Sequence, residues 1–207
     1  MSLPNTLSIF AAVFALAIGT AHAQATPAAF AKLPTPQATE GDGKIEVIEF
    51  FWYGCPHCYA LEPAVNAWLK NAPKDVVFKR IPANPSEGWG EMARVYYTLD
   101  AMGLLDKYHQ RVFDAMHKEN VNLGNKRLRE AWLAKNGIDV AKYNDVEKSF
   151  SVATKLSRAR QLTQAYQVDS VPRLVVNGKY YTAADLTGDK VFPTVDQMIA
   201  QVRKEKS

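Results

Sequence analysis

The chain's only two cysteines, Cys55 and Cys58, stand two residues apart as Cys55-Pro56-His57-Cys58. The segment before them, Lys44 to Trp52, is a nearly continuous apolar run and predicts a strand over 45–52 buried on both faces. The segment after them, from Tyr59, keeps Cys58, Leu61, Val65, Trp68 and Leu69 at helical spacing. A Cys-x-x-Cys at a strand-to-helix junction has the outline of a thiol–disulfide site. The helix N-terminus stabilises the thiolate of the first cysteine, and the second sulfur is close enough to close or reopen the bond. Pro56 suits a first helical turn, where its missing N–H costs nothing.

The same two cysteines exclude other chemistries. Half of a zinc site has no second cysteine pair to complete it, and His109 and His117, eight residues apart, read as ordinary surface or boundary histidines. A c-type haem needs His directly after the second cysteine, and Tyr59 is there instead. A purely structural bridge closing so short a loop would stabilise little. The formal charge of +4 comes from scattered residues, so nucleic-acid binding has little support; it suits a solvated basic surface, anionic membrane surfaces or acidic clients.

The N-terminus points to export. Leu7 to Ile18 is apolar, and Ala21-His22-Ala23 is a small-x-small pattern that predicts a signal peptide over 1–23 with Gln24 as the first mature residue. No Lys or Arg precedes the apolar run, which leaves an uncleaved anchor or a buried helix as the alternatives. Export would place both cysteines in an oxidising space. Residues 24–41 read as a polar leader arm. From 86 to 167 apolar residues recur at three and four, with Gly103, Gly124 and Gly137 as punctuation, which predicts four or five helices. Strand texture marks 76–81 and returns at Leu174-Val175-Val176. The Asn177-Gly178 pair then predicts a type I′ hairpin. A C-terminal helix is expected from Thr194, capped by Thr194 and Gln197. The simplest account is one α/β sheet domain, 42–85 plus 168–207, interrupted by a helical block at 86–167.

The run Glu49-Phe50-Phe51-Trp52-Tyr53-Gly54-Cys55-Pro56-His57-Cys58-Tyr59, with Val171-Pro172 and Val176-Asn177-Gly178-Lys179-Tyr180, closely resembles the DsbA family of thiol:disulfide oxidoreductases. The resemblance implies an α/β thioredoxin-like fold with an inserted helical domain. It implies an enzyme of the periplasm that donates a Cys55–Cys58 disulfide to newly exported, reduced proteins and is reoxidised by a DsbB-type membrane quinone reductase. No metal or organic cofactor is expected, and a monomer is expected by analogy. Cys55 matches the exposed, acidic sulfur, Cys58 the resolving one, and His57 the residue that tunes them. Pro172 matches a cis-proline facing the pair, and Val171 offers backbone hydrogen bonds to an extended client. Glu49 matches an acid beneath the site that moves protons, and Lys79 is its candidate companion.

Some features stay open at this level. Val171-Pro172 alone allows an edge strand or a cis turn. Glu49 is either a buried acid or a solvated edge residue, and Trp52 and Tyr53 form either an apolar rim or core. Arg173 departs from the small or apolar residue common in relatives. It either stabilises the Cys55 thiolate or biases clients toward acidic segments. A reductase or isomerase on the same fold, and a periplasmic holdase with a structural disulfide, are the rival functions. The DsbC-type isomerase would be expected to carry an N-terminal dimerisation domain.

Overall fold

A computed structural model describes residues 28–184 and 186–206; the expected signal segment, 1–23, lies outside them. At its centre is β2 (Ile45–Phe51), buried at every position, as the nearly continuous apolar run predicts. β3 (Val76–Pro82) pairs with it in parallel, which requires a crossover, and α1 (Pro56–Leu69) provides it. α1 continues past its interior Pro63. On the other side β4 (Arg173–Val176) runs antiparallel to β2, and β5 (Tyr180–Thr182) antiparallel to β4. The turn between them has Asn177 at φ 52° and Gly178 at φ 63°, the two positive values that a type I′ hairpin demands.

The edge strand was not expected. β1 (Phe30–Lys32), within the stretch read as a leader arm, pairs antiparallel with β5 and completes the order β1-β5-β4-β2-β3. The chain then crosses the hairpin: Leu33 N–H donates to Lys179 O at 2.7 Å and Gln37 N–H to Gly178 O at 2.8 Å. A Cβ at position 178 would stand 2.1 Å from Gln37 O, so Gly178 serves both the turn and the close approach of this segment.

Between β3 and β4 lie five helices: α2 (Glu87–Ala101), α3 (Leu105–His117), α4 (Lys126–Lys135), α5 (Val140–Glu147) and α6 (Phe150–Ala165). Three of them are capped by a side chain accepting a backbone N–H: Asn125 for α4, Asp139 for α5 and Ser149 for α6. The last helix, α7 (Val191–Lys206), begins three residues before the expected start, after a 3-10 turn at Gly188–Lys190. Thr194 therefore lies inside its first turn. Its hydroxyl donates to Lys190 O, so the expected capping box does not form.

The sheet has two covered faces. Val47, Leu174 and Val176 pack on Leu61 and Val65 of α1 and on Val195, Met198 and Ile199 of α7. Ile48, Phe50 and Val175 face Ala159 and Tyr166. A separate aromatic core joins the end of β2 to the helical block, with Phe51, Tyr53, Tyr96 and Phe113 packed around the buried Cys58. The junction of sheet and helical block is thus where the cysteines sit.

Candidate active site

Cys55 is the N-cap residue of α1, with extended backbone at φ −87° and ψ 117°. Its side chain makes no capping hydrogen bond, but the nearby backbone N–H groups of His57 and Cys58, which the start of the helix leaves unpaired, favour its thiolate. The residue before it must be small, because a Cβ on Gly54 would meet the Trp52 ring at 2.4 Å. Both cysteines are free thiols. A hydrogen bond from the Cys58 thiol does most to lower the Cys55 thiol, against the opposing effect of burial. The two backbone N–H groups and the neighbouring His57 add to it, and the thiol is brought down from 9.0 to about 6. Cys58 is fully buried, and burial together with its role as donor to Cys55 pushes it far up. The two sulfurs therefore differ strongly in acidity. Pro56 and His57 are exposed on the first turn.

Opposite Cys55 lies the Val171-Pro172 peptide, which is cis. The Cys55 thiol donates to the Val171 carbonyl at 3.4 Å. A small notch of about 70 Å³ opens beside the pair, lined by His57, Ala60, Leu61, Pro172, Leu186 and Val191. Leu186, ahead of the 3-10 turn, and Val191, the first residue of α7, were not anticipated, because only the tertiary fold brings 186–191 against α1.

Glu49 is fully buried on the face of β2 that meets α1. Its pKa is pushed up to about 8, first by burial, against the Arg80 guanidinium and with the help of the Glu62 carboxylate. Arg80 Nε stands 3.2 Å from Glu49 Oε2, within ion-pair distance but out of line for a hydrogen bond. Arg80 Nη2 donates to Glu62 Oε2 at 3.2 Å, so one guanidinium serves two buried carboxylates. The expected companion was Lys79. The structure corrects this: Lys79 bonds Glu46 at 2.7 Å, while the parallel register sets Arg80 opposite Glu49.

Two other residues join this cluster. His109 reads from sequence as an ordinary surface or boundary residue, yet it is buried, and burial holds its pKa down. Its Nε2 lies 3.2 Å from Glu62 Oε1 and its Nδ1 2.7 Å from the Tyr53 hydroxyl. With Glu62 ionised, Nε2–H donates to the carboxylate and Nδ1 accepts from Tyr53. Tyr53 is thereby core, packed against Phe113 with ring centroids 4.8 Å apart. Trp52 is only half-buried and stacks on Trp89 of α2 at 4.5 Å. His117 donates from Nε2 to Tyr53 O at 2.8 Å and stacks on Tyr59 at 4.9 Å, tying α3 to the first turn of α1.

Arg173 does neither of the things expected of it. In β4 it pairs with Phe50 and so shares the sheet face opposite to Glu49 and α1. Its side chain is buried there, bonded to Gln167 O, Asp169 and Ser170, and it is neither beside Cys55 nor exposed to clients.

A family model described as a DSBA-like thioredoxin domain matches residues 75–200. The thiol:disulfide interchange protein DsbA of Bordetella parapertussis is 41% identical over 207 residues, covering 97% of this chain and 99% of the relative. That of Azotobacter vinelandii is 38% identical over 204 residues, with 95% of each chain covered. Among solved structures, Pseudomonas aeruginosa DsbA superposes with a TM-score of 0.80 at 36% identity, over 86% of this chain and 94% of that one. Likeness of this extent takes in both the Cys-x-x-Cys junction and the helical block, so the chain belongs to the DsbA-like thioredoxin family.

Proposed function

We propose that Cys55 and Cys58 form the redox centre through which this thiol:disulfide oxidoreductase donates a disulfide to reduced, newly exported proteins in the periplasm. The observation that carries the reading is the split acidity of the two thiols, about 6 for Cys55 against a strongly raised Cys58. A client thiolate attacks Cys55 Sγ of the oxidised enzyme and forms a mixed disulfide, and the Cys55–Cys58 bond breaks with the electron pair leaving on Cys58. Cys58 is buried, so its thiolate takes up a proton, and Glu49, still protonated at neutral pH with a pKa near 8, is the group placed to give it. A second client thiolate then attacks the client sulfur of the mixed disulfide and expels Cys55 as a thiolate. The client loses two electrons and the enzyme gains them. A DsbB-type quinone-linked membrane partner removes them again.

Client backbone pairs with Val171, in the manner of an added strand, and a client side chain enters the notch between His57, Pro172 and Leu186. The stacked Trp52 and Trp89 extend this apolar border. No helix among the described residues is long and apolar enough to cross a membrane.

The deciding experiment is the redox equilibrium of the purified protein, lacking residues 1–23, against glutathione, followed by tryptophan fluorescence. A dithiol oxidase stays largely reduced even at strongly oxidising ratios, because its disulfide is the less stable state. Persistence of the disulfide until conditions are strongly reducing would assign a reductant or a structural bridge instead. Within the mechanism, Glu49→Gln removes the proton donor but keeps the shape. Turnover should fall about a hundredfold, the lower range of general acid–base catalysis, without being abolished. An unchanged rate in a stopped-flow assay of peptide oxidation would remove Glu49 from the mechanism.

A further inference from the structure

The residue after Pro172 is buried and charged, and its partners lie in the loop that precedes the proline. Arg173 Nη1 donates to Gln167 O at 2.9 Å, and Nη2 donates to Asp169 Oδ1 and to Ser170 Oγ at 3.2 Å. Ser170 Oγ in turn donates to Asp169 at 2.8 Å. The guanidinium lies over the Tyr181 ring of β5, 4.8 Å from its centroid. Side-chain hydrogen bonds from one β4 residue thus reach three of the five residues between α6 and Val171.

This loop has few other supports. Gln167 carries a positive φ of 50°, a conformation that glycine adopts more cheaply. It ends α6 with two backbone bonds, Gln167 N–H to Gln164 O and Val168 N–H to Thr163 O, the pattern of a Schellman motif. Beyond it, one side of the loop borders a cavity of about 280 Å³, lined by Leu33, Pro34, Tyr166, Asp169, Arg173 and Tyr181. Apolar packing does not fill that side. Val168 and Val171 pack against the core on the other side, and the Arg173 fork is what holds the polar residues between them, Asp169 and Ser170.

Val171 is the next residue, and its carbonyl accepts the Cys55 thiol at 3.4 Å. We propose that Arg173 is a positioning residue: its guanidinium staples residues 167–170 so that the Val171 peptide is held against Cys55 and presented to the client. The staple acts at a distance through the loop. Arg173 itself lies on the opposite sheet face from Cys55 and touches neither the sulfur nor the client. The part of this inference that concerns clients rests on the proposed pairing of client backbone with Val171; the part that concerns Cys55 does not.

The sign of the effect separates this role from a direct charge effect. A carbonyl oxygen that accepts from a thiol favours the protonated sulfur. Releasing it lets Cys55 ionise more easily, whereas losing a cation that stabilised the thiolate would have the opposite result. The groups facing Cys55 are Cys58 and His57, both on α1, and neither contacts Arg173. Those around Arg173 are Asp169, Tyr166 and Tyr181.

The test compares Arg173→Gln with the unaltered protein, both checked for native circular dichroism, by two readouts. The first is the pH titration of the Cys55 thiolate by its ultraviolet absorbance. The second is the steady-state oxidation of a reduced cysteine-containing model peptide. The expected result is a titration midpoint moved to lower pH together with a KM raised about three- to tenfold, the range for losing one positioned hydrogen bond. An unmoved midpoint overturns the staple, whatever KM does, and so does a midpoint moved to higher pH. A lowered midpoint with unchanged KM supports the staple and overturns client pairing at Val171. If Arg173→Gln does not fold, Asp169→Ala removes one arm of the fork at an exposed side chain, and the same signs apply at smaller size.

Discussion

Cys55→Ala should lose dithiol oxidation completely while keeping the fold. The substituted side chain stands at the start of α1, where the neighbouring backbone N–H groups and the Cys58 thiol favour its thiolate. Cys55 borders the aromatic core around Phe51, Tyr53 and Phe113, and the substitution removes only one sulfur from its edge. The chemical loss is total because an oxidase with one sulfur cannot carry two electrons as a disulfide. Two assays check this: oxidation of a reduced peptide, and suppression of aggregation of a denatured client. Loss of the first with retention of the second is the expected outcome for an enzyme whose client groove persists. Full activity of Cys55→Ala in promoting client folding would instead identify a holdase that uses the bridge only for rigidity.

The second large effect lies in the pH dependence of Cys55. Its ionisation should centre near pH 6, about a thousandfold more acidic than its ordinary value of 9.0 implies. In the folded dithiol protein the pKa is depressed, so the resulting stability is fully present above pH 9 and is lost as pH falls through about 6. The oxidised protein has no thiolate and gains nothing. At pH 7 the difference favours the reduced form by about 1.4 kcal/mol, equivalent to roughly 30 mV of added oxidising power. Unfolding of both forms in denaturant at pH 5 and pH 8.5 checks the sign. The stability of the reduced form relative to the oxidised one should rise by about 3 kcal/mol between those values. A thiolate absorbance midpoint at pH 8 or above would leave the pair without this driving force.

The two effects have one origin. The helix N-terminus and the Cys58 thiol favour the Cys55 thiolate, while Cys58 is shut away from water. A sulfur that is stable as a thiolate is also a good leaving group, so the mixed disulfide with a client is resolved quickly toward oxidised client and reduced enzyme. The strand-to-helix junction thus sets equilibrium and rate in the same direction.

Much of this was legible in the sequence, and the reason lies in how local the controlling forces are. The burial of β2 shows as a nearly continuous apolar run, and the position of Cys55 at the helix start shows in the change of periodicity after Tyr59. The Asn177-Gly178 turn is legible because only those backbone conformations close a two-residue hairpin. The five helices of the block are legible as apolar residues at three and four. Glu49 was placed as a candidate acid through the resemblance, and its burial resolves the choice that the residues alone left open.

What the tertiary structure decided is a matter of parity and of long-range burial. Lys79 and Arg80 are adjacent in sequence and chemically alike, yet a one-residue step in a strand sends the side chain to the other face. The register with β2 therefore gives Arg80 to Glu49 and Lys79 to Glu46. The same parity carries Arg173 away from Cys55 and onto its own loop. Tyr53, Glu62 and His109 come from β2's end, α1 and α3, and no local pattern announces that they meet. The docking of β1 on β5 likewise depends on a hairpin about 150 residues further along. The sequence by itself determined the cysteine pair at a strand-to-helix junction, the sheet interrupted by a helical block and the hairpin, because short-range rules of periodicity, turn geometry and helix termini govern them. Only the tertiary structure decided which charge faces which, because pairing register and burial arise from contacts between segments far apart in the chain.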